Sequence, residues 1–528
     1  MATEHAGDGH EFHGPWAEID GAGQPAKVDS VAVIGAGVAG LCTAKTLIAE
    51  GLRCTLFERN AALGGVWADG YSNFGVQVQK ELYEIPDWPL PPDAPDFTPG
   101  PAFRDYLQGY ADHFGVTPCI RLGASVTTLE KRDDGGWIVT YRQNGAEKKK
   151  AFDLVVVSVG LYSSRPWMPS FPGEENFGGK IMHIAELKSR DQLRGKRVAV
   201  LGYGKSATDA AVEAAAVAEE TTLIFREAHW PVPRKLAGIL PFKWGMLHRL
   251  TSALLPPYQR PSGLERVVHV IGLPAVWLCW RLVEILLRVQ FGLGPRFGRR
   301  ADLVPSTPVE VDCFGESTML PRPEFFRLVR DGTIDAQRTE IAEYRPTGVL
   351  LRNGVRRDID VMVLATGWTT AYGFLPESVR AMLSFEEDGY YLYRHMLHPD
   401  APDLVFIGCN SATFCNVLTA SLQARWLAEL LRRGHRLPPR EAMAREIEEM
   451  KAWKRRWIPY SPARGARIQL HMLHYHDELL RDFGADPKRK SGVFGPLKEL
   501  IDPYEPNDYR TIVSGDWRRP ERPAALMR

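Results

Sequence analysis

The stretch that decides the fold is residues 27–59, "KVDSVAVIGAGVAGLCTAKTLIAEGLRCTLFER". The pattern G-x-G-x-x-G is formed by Gly35, Gly37 and Gly40. The apolar run before it predicts a buried parallel strand, and residues 38–50 predict a helix that ends at Gly51. Such glycines let the backbone approach a pyrophosphate, and Glu58, at the end of the next strand, can accept hydrogen bonds from ribose hydroxyls. The stretch therefore predicts a dinucleotide-binding strand–helix–strand unit.

A second stretch, residues 195–227, repeats this design as "GKRVAVLGYGKSATDAAVEAAAVAEETTLIFRE". Its turn consists of Gly202, Tyr203, Gly204, Lys205 and Ser206, and Ala207 stands at the third glycine position. A helix is predicted from Ser206 to about residue 218. The following strand ends on Arg226 instead of an acid, and a guanidinium can bind a 2′-phosphate. A charged hydrogen bond of roughly 1.5–3 kcal/mol favours NADPH over NADH by about one to two orders of magnitude, and Lys205 adds a second cation.

Composition frames these two units. The chain has 528 residues, 45% hydrophobic and 24% charged, which is typical of a globular protein with two or three domains. The net charge of +1 gives no indication of nucleic-acid binding. Seven cysteines show neither a C-x-x-C pair nor metal-ligand spacing, so we predict no metal site and a reducing, cytoplasmic setting. The amino terminus lacks the apolar run of a signal peptide.

The segment that follows the first unit indicates which dinucleotide it binds. Residues 63–67, "LGGVW", contain paired glycines that let backbone amides approach a flat ring system. Trp67 can form a wall of that ring site, and the alternative is a structural turn with a core tryptophan. We therefore predict that the first unit binds FAD and the second binds NADPH.

Two further apolar strands, at 154–160 and 361–368, each lead into a glycine. Such strand ends are natural crossing points between nested domains, here at Gly160, Thr366 and Gly367. We predict an α/β fold of two nested Rossmann-type domains. The predicted parts are a flexible tail at 1–28, an FAD domain at 29–165 and 366–528, and an NADPH domain at 166–365.

The chain resembles the flavin-containing monooxygenases, which are class B flavoprotein oxygenases. The family's motif F-x-G-x-x-x-H-x-x-x-[FY] is similar to "FGGKIMHIAEL" at 177–187, where Phe177, Gly179 and His183 match and Leu187 replaces the aromatic residue. The Gly-Gly-x-Trp turn, Ser206 and Asp209 of the second turn, "LQARW" at 422–426 and "DPYEPNDYR" at 502–510 are also similar to the family. The resemblance covers nearly the whole chain.

The resemblance implies a catalytic cycle. In this family NADPH reduces FAD, O2 adds to form a C4a-(hydro)peroxyflavin, and one oxygen atom passes to a lipophilic small molecule by N- or S-oxygenation. The implied FAD-binding residues are Gly35, Gly37, Gly40, Glu58, Arg59, Gly65, Val66, Trp67, Gln77 and Val126. The implied NADP-binding residues are Gly202, Tyr203, Gly204, Lys205, Ser206 and Arg226.

Departures from the family concern the substrate side. The family's asparagine beside the flavin lies in a stretch that resembles "VQVQKEL", which places Gln77 there and makes it the candidate catalytic residue. The longer side chain moves the amide by roughly 1.5 Å; the alternative is an exposed strand glutamine. Baeyer–Villiger oxidation of a ketone stays open, although Leu187-Lys188 stand where those enzymes carry a Trp-Pro or Trp-Asp pair.

An apolar helical insertion is predicted at about 236–305. Its stretch 273–289 has Arg281, Glu284 and Arg288 on one helical face, which opposes a membrane span and allows pairing. The remaining apolar surface must be buried, with the protein core as the first choice, then a substrate tunnel, then a peripheral membrane contact. Whether the chain forms a homodimer stays open.

Two other protein classes remain as alternatives. A pyridine nucleotide–disulfide reductase shares nested dinucleotide domains but needs a redox cysteine pair, and only Cys409 and Cys415 lie near each other, separated by five residues. A non-catalytic flavoprotein could use the same two turns for binding alone.

Overall fold

The computed structural model describes residues 28–162, 165–261, 263–294, 303–312, 321–369, 372–412, 416–433 and 435–518. The strands are β1 Ser30–Ile34, β2 Arg53–Phe57, β3 Ile120–Arg121, β4 Ser125–Lys131, β5 Trp137–Gln143, β6 Ala146–Phe152, β7 Leu154–Val157, β8 Arg165–Pro166, β9 Lys180–His183, β10 Arg197–Leu201, β11 Glu220–Phe225, β12 Lys235–Leu236, β13 Leu240–Pro241, β14 Asp335–Arg338, β15 Ile341–Arg345, β16 Gly348–Leu351, β17 Arg356–Asp358, β18 Val361–Leu364, β19 Trp368–Thr369, β20 Leu397–His398 and β21 Ala401–Phe406. The helices are α1 Val38–Ala49, α2 Gly100–His113, α3 Lys205–Ala215, α4 Phe242–Met246, α5 Arg249–Leu254, α6 Gly263–Val270, α7 Leu273–Phe291, α8 Val309–Asp312, α9 Phe325–Arg330, α10 Glu377–Met382, α11 Asn416–Arg432, α12 Arg440–Trp457, α13 Met472–Asp482, α14 Gly495–Ile501 and α15 Arg510–Ser514.

The first glycine turn belongs to a six-stranded sheet of order β20-β21-β7-β1-β2-β3. All pairs are parallel except β20 with β21. In the register, Val33 lies between Leu56 and Val156, and all three are fully buried. Helix α1 packs against α11, which is buried along most of its length. A continuous apolar strand covered on both sides is what the sequence of β1 predicts.

The second glycine turn belongs to a five-stranded, fully parallel sheet of order β14-β11-β10-β18-β9. Val200 of β10 lies between Leu223 and Val363. Helix α3 begins at Lys205, after the glycine turn that follows β10. It ends at Ala215, about one turn before the end that the sequence predicts. In both sheets the central strand enters its helix through a glycine turn, so the two units have the same construction.

The chain leaves the first sheet after β7, builds the second sheet, and returns at β20 and β21. The strands of the second sheet lie between Lys180 and Leu364. The two crossings run side by side, because β8 pairs antiparallel with β19 through Pro166 and Trp368. The mixed α/β architecture with parallel sheets confirms the predicted fold class.

The predicted insertion forms the hairpin β12–β13 and helices α4 to α7, and the protein core covers only part of its apolar surface. The inner face of α7 packs in the core through Val276, Trp280 and Leu287. Its outer face carries four apolar residues that are each more than half exposed, namely Leu278, Leu282, Ile285 and Val289. Helix α7 thus has two opposite apolar faces, and the protein core covers only one of them.

Two of the three charged residues of α7 pair with each other, as predicted, and the third, Arg288, lies over the ring of Trp230. Arg281 pairs with Glu284 at 3.2 Å, and Glu284 is 7% exposed, with an oxygen that accepts a hydrogen bond from the backbone N–H of Val309 at 3.0 Å. In the part of the chain that the structure describes, none of the helices has the length and apolar character that crossing a bilayer requires.

Candidate functional site

The first glycine of each turn lets the turn pass close to a neighbouring strand end. A Cβ at Gly35 would lie 2.6 Å from the carbonyl oxygen of Ser158, and one at Gly202 would lie 2.6 Å from that of Ala365. Both glycines have positive φ, +105° and +131°. The two turns are thus seated in the same way at the carboxyl edges of their sheets, where open α/β sheets bind ligands.

The second glycine of each turn faces open space. Gly37 and Gly204 are the N-cap residues of α1 and α3, and neither helix has a side-chain cap. A Cβ at Gly204 would meet nothing within 4 Å, and one at Gly37 would meet the Cα of Gly65 only at 3.6 Å. Unsatisfied N–H groups beside open space at a helix start form an anion site, so both turns fit the diphosphate of a dinucleotide. Gly40 is buried in the first turn of α1.

Glu58 follows β2 at the predicted position. Its carboxylate accepts hydrogen bonds from the backbone N–H groups of Ala36 at 3.0 Å and Asn60 at 2.9 Å, and the residue is 5% exposed. The acid therefore holds the shape of the glycine turn, a role that the sequence does not reveal. Arg59, next to it, is exposed. Val126 is half-buried in β4 and packs against the core beside this strand end.

The Gly-Gly turn lies against the first glycine turn. The N–H of Gly64 donates to the carbonyl of Ala36 at 2.9 Å, and a Cβ at Gly65 would lie 3.2 Å from the Cα of Gly37. Val66 is 42% exposed. Trp67 instead packs into an aromatic group, with ring centroids 4.5 Å from Phe103 and 5.9 Å from Phe74. Trp67 is half-buried, and its predicted role as a wall of the flavin site stays a prediction.

Gln77 is exposed and lines an open cleft between the two units. The polar residues of its wall are Asn73, Gln77, Lys205, Arg234, Arg322 and Glu324. The structure thus brings Gln77 to the same cleft as Lys205 of the second turn. Two arginines of this wall are not predicted from the sequence: Arg322, and Arg234, whose guanidinium lies 3.6 Å above the ring of Phe97. No motif marks either arginine.

Lys205 forms an ion pair with Asp209, one helical turn further along α3. Its ammonium contacts the carboxylate of Asp209, which is fully buried, and Arg322 contacts the other oxygen of that carboxylate at 3.2 Å. Burial lowers the pKa of Lys205, and Asp209 opposes that shift. Lys205 is the first residue of α3 and directly follows Gly204.

Arg226 lies directly after β11, as predicted, and its side chain is exposed. The end of the adjacent strand β14 supplies Arg338, whose Nε donates to the carbonyl of Arg226 at 3.4 Å. Two guanidinium groups therefore share this sheet edge. Tyr203 points its side chain into the core, 4.4 Å from the ring of Phe225, so only its backbone faces the turn. Ser206 is half-buried in the first turn of α3.

The motif residues hold the crossing between the sheets. His183 Nδ1 accepts from the N–H of Ala185 at 3.3 Å, so Nε2 carries the proton that it donates to the carbonyl of Gly367 at 3.1 Å. Burial lowers the pKa of His183 and keeps the ring neutral. That carbonyl also accepts from the N–H of Trp167 at 2.9 Å, next to Thr366.

The other two motif residues pack beside that crossing. A Cβ at Gly179 would lie 2.6 Å from the carbonyl oxygen of Asp360, and Phe177 packs on Tyr344 with ring centroids 5.1 Å apart. Gly160 follows β7 with φ +69°.

The one described cysteine of the candidate redox pair is not activated. Cys409 is buried, its thiol donates to the carbonyl of Val157 at 3.3 Å, and burial raises its pKa to about 11. A redox thiolate needs a lowered pKa. Cys415 lies outside the described residues.

Comparisons with known proteins agree with this geometry. The family model "Flavin-binding monooxygenase-like" matches residues 28–260 and 327–527. A curated relative, "Dimethylaniline monooxygenase [N-oxide-forming] 2" of Oryctolagus cuniculus, is 30% identical over 514 residues, with 92% of this chain and 89% of the relative covered.

Two solved structures share the fold. The open crystal structure of cyclohexanone monooxygenase aligns with a TM-score of 0.64 at 20% identity, covering 86% of this chain and 97% of that one. A crystal structure of OTEMO in complex with FAD and NADP aligns with a TM-score of 0.62 at 20% identity, covering 81% and 91%. With the family model matched over most of its length, the chain belongs to the flavin-binding monooxygenase-like family.

Proposed function

We propose that the protein is an FAD- and NADPH-dependent monooxygenase that inserts one atom of O2 into a lipophilic small molecule. One observation carries the proposal: two uncapped glycine turns beside open space stand at the carboxyl edges of two parallel sheets, and the second turn borders a cleft that Gln77 also lines. Family membership and the FAD and NADP complex of the similar OTEMO structure support the choice of the two dinucleotides.

Each turn would hold one diphosphate through its free backbone N–H groups. In this proposal Gly37, Gly65 and Glu58 form the FAD side, and Gly204, Lys205 and Arg226 form the NADPH side. Flavin, when bound and reduced, supplies the chemistry that activates O2. The protein's own contribution is to orient the two rings and to exclude water, and Gln77 offers an amide donor and acceptor from the cleft wall.

For the substrate we propose a soft nitrogen or sulfur centre on a lipophilic molecule. The support is a curated relative whose name states N-oxide formation. Ketone oxidation remains the second candidate because a cyclohexanone monooxygenase shares the fold. Both reactions add one oxygen atom, so they differ in the product and not in the cofactors.

The experiment is a panel of tertiary amines, thioethers and cyclic ketones incubated with the FAD-loaded enzyme, NADPH and ¹⁸O2. We expect an amine or thioether product that is heavier by one ¹⁸O atom, with one NADPH consumed per product. Ester or lactone products alone would select the ketone reaction. NADPH oxidation with no oxygenated product from any class would contradict the monooxygenase proposal.

We also propose the nested domain division 29–165 with 366–528 and 166–365. It is supported by the return of the chain to the first sheet and by the antiparallel β8–β19 crossing. Limited proteolysis tests it. We expect cleavage both near residues 163–166 and near 365–371 to release the inner unit with its NADPH affinity intact, and a cut inside either sheet would contradict the division.

For location we propose the cytoplasm with a peripheral contact between the insertion and an anionic membrane. The exposed outer face of α7 supports it, together with an excess of basic residues at 255–301, where seven arginines stand against two glutamates. Vesicles with and without phosphatidylglycerol test it: the wild type should co-sediment with the anionic vesicles, and Leu282→Glu should not. Equal sedimentation of both proteins would contradict the membrane contact, and a concentration-dependent mass without vesicles would favour a homodimer.

A further inference from the structure

Helix α3 carries two acidic residues that binding a diphosphate at its start does not require. Asp209 is 0% exposed and Glu213, one helical turn on, is 2% exposed. A buried carboxylate costs several kcal/mol unless cations and hydrogen-bond donors surround it. The groups that contact these two carboxylates therefore indicate the structural role of Asp209 and Glu213.

Three partners come from the segment that leads to Gln77. The hydroxyl of Tyr71 donates to Asp209 at 2.8 Å, Ser72 Oγ donates to Glu213 at 3.3 Å, and Asn73 Nδ2 donates to Glu213 at 3.0 Å. Residues 71–73 are thus held against the helix that starts at the second glycine turn. No sequence motif predicts this contact, because the partners are about 140 residues apart.

Arg322 contacts both carboxylates and the backbone of Asn73. Its Nε donates to Asp209 at 3.2 Å, one Nη donates to Glu213 at 2.7 Å, and the other donates to the carbonyl of Asn73 at 2.7 Å. The side chain is 14% exposed. A planar guanidinium that reaches two carboxylates and a backbone carbonyl fixes their relative positions.

The same segment is fixed again close to Gln77. Asn73 has φ +56°, a left-handed conformation that its two contacts stabilise. Beyond it, the N–H of Val76 donates to the carbonyl of Thr98 at 3.0 Å. Gln77 follows directly, so its position in the cleft depends on the α3 contacts at one end and on Thr98 at the other.

Lys205 connects this arrangement to the second turn, because its ammonium pairs with Asp209. We propose that Asp209 and Glu213 are positioning residues that, through Arg322 and Tyr71, couple occupation of the second turn to the position of Gln77. The inference rests on the proposed binding of NADPH at that turn and goes beyond it.

The direction of the coupling follows from the charges. A coenzyme phosphate beside Lys205 attracts the ammonium that now balances Asp209. Asp209 then depends more on Tyr71 and Arg322, so their bonds to it strengthen. Residues 71–77 become more firmly held when the turn is occupied, and by reciprocity a well-held segment raises coenzyme affinity by the same factor.

The test is backbone hydrogen exchange of residues 71–82 in the FAD-loaded protein, with and without NADP⁺, beside a titration that gives the dissociation constant of NADP⁺. In the wild type we expect exchange in this segment to slow about fivefold on binding. Glu213→Gln should abolish the slowing and weaken NADP⁺ binding by about the same factor. Tyr71→Phe, which removes a single hydroxyl, should show a smaller change in the same direction.

Glu429→Gln is the matched control. Glu429, in α11, is a carboxylate that is 1% exposed and pairs with two arginines, Arg425 and Arg518. It should leave both readouts unchanged. If the wild type binds NADP⁺ without any change at 71–82, or if Glu213→Gln and Tyr71→Phe behave like the control, the coupling is wrong and the proposed function stands. If the wild type does not bind NADP⁺, the proposed function itself fails.

Discussion

The open space at the second glycine of each turn gives the sharpest test of which turn binds which dinucleotide. Gly37 has φ −80° and Gly204 has φ −76°, conformations that alanine adopts readily. An added methyl group would meet nothing within 4 Å at Gly204 and only an ordinary contact at Gly37. Each substitution should therefore leave the protein folded and disturb only a ligand that approaches the backbone there.

The magnitude follows from these contacts. Gly→Ala at an unstrained site changes the free energy of unfolding by about 1 kcal/mol or less. A methyl group extends about 1.5 Å from Cα into the space that a phosphate needs to reach the backbone N–H groups. Losing one charged hydrogen bond of about 1.5–3 kcal/mol weakens binding by roughly ten- to hundredfold.

The assay crosses two variants with two readouts, namely FAD content per chain after purification and the Michaelis constant for NADPH. Gly37→Ala should lose most FAD. Gly204→Ala should keep FAD and raise the Michaelis constant by about ten- to hundredfold. Gly109→Ala, a substitution in α2 that also meets nothing within 4 Å, is the control and should change neither.

Two results would refute the reasoning. If Gly204→Ala loses FAD while Gly37→Ala affects only NADPH, the dinucleotides are assigned to the wrong turns. If both variants match the control in both readouts, the open space beside the glycines is not where the phosphates bind. A melting temperature within a few degrees of the wild type shows that either result reports on binding and not on folding.

The remaining predictions concern three other features. Arg226→Ala should raise the Michaelis constant for NADPH about tenfold and leave that for NADH unchanged; equal changes would make Arg226 structural. Gln77→Ala should preserve NADPH oxidation while product falls and hydrogen peroxide rises, and an unchanged ratio of product to peroxide would place Gln77 away from the chemistry. Burial lowers the pKa of His471 and of His476 to about 3, so the unfolded chain binds protons more readily than the folded one. Stability should be full above about pH 6.5 and fall below it by about 1.4 kcal/mol per pH unit for each histidine; urea midpoints that stay constant from pH 7 to 5 would contradict this.

The sequence alone determined the two dinucleotide units. Gly35 and Gly202 can be recognised in the sequence because a tight turn at a strand end restricts which residue can stand there. The strands before them can be recognised because they are continuous apolar runs. Glu58 and Arg226 are likewise found at the strand ends that the pattern predicts. Local constraints of this kind restrict residue types within a stretch of about 30 residues, so a single sequence is enough to detect them.

The tertiary structure decided which residues of the two units contact each other. Arg322, Asp209 and Asn73 are remote in sequence and meet only because the two sheets are packed together. The same holds for the packing of Trp67 against Phe103 and for the exposed outer face of α7. Burial is a property of the neighbours that the whole chain brings to a residue, and an apolar pattern records only that a face avoids water, not what covers it.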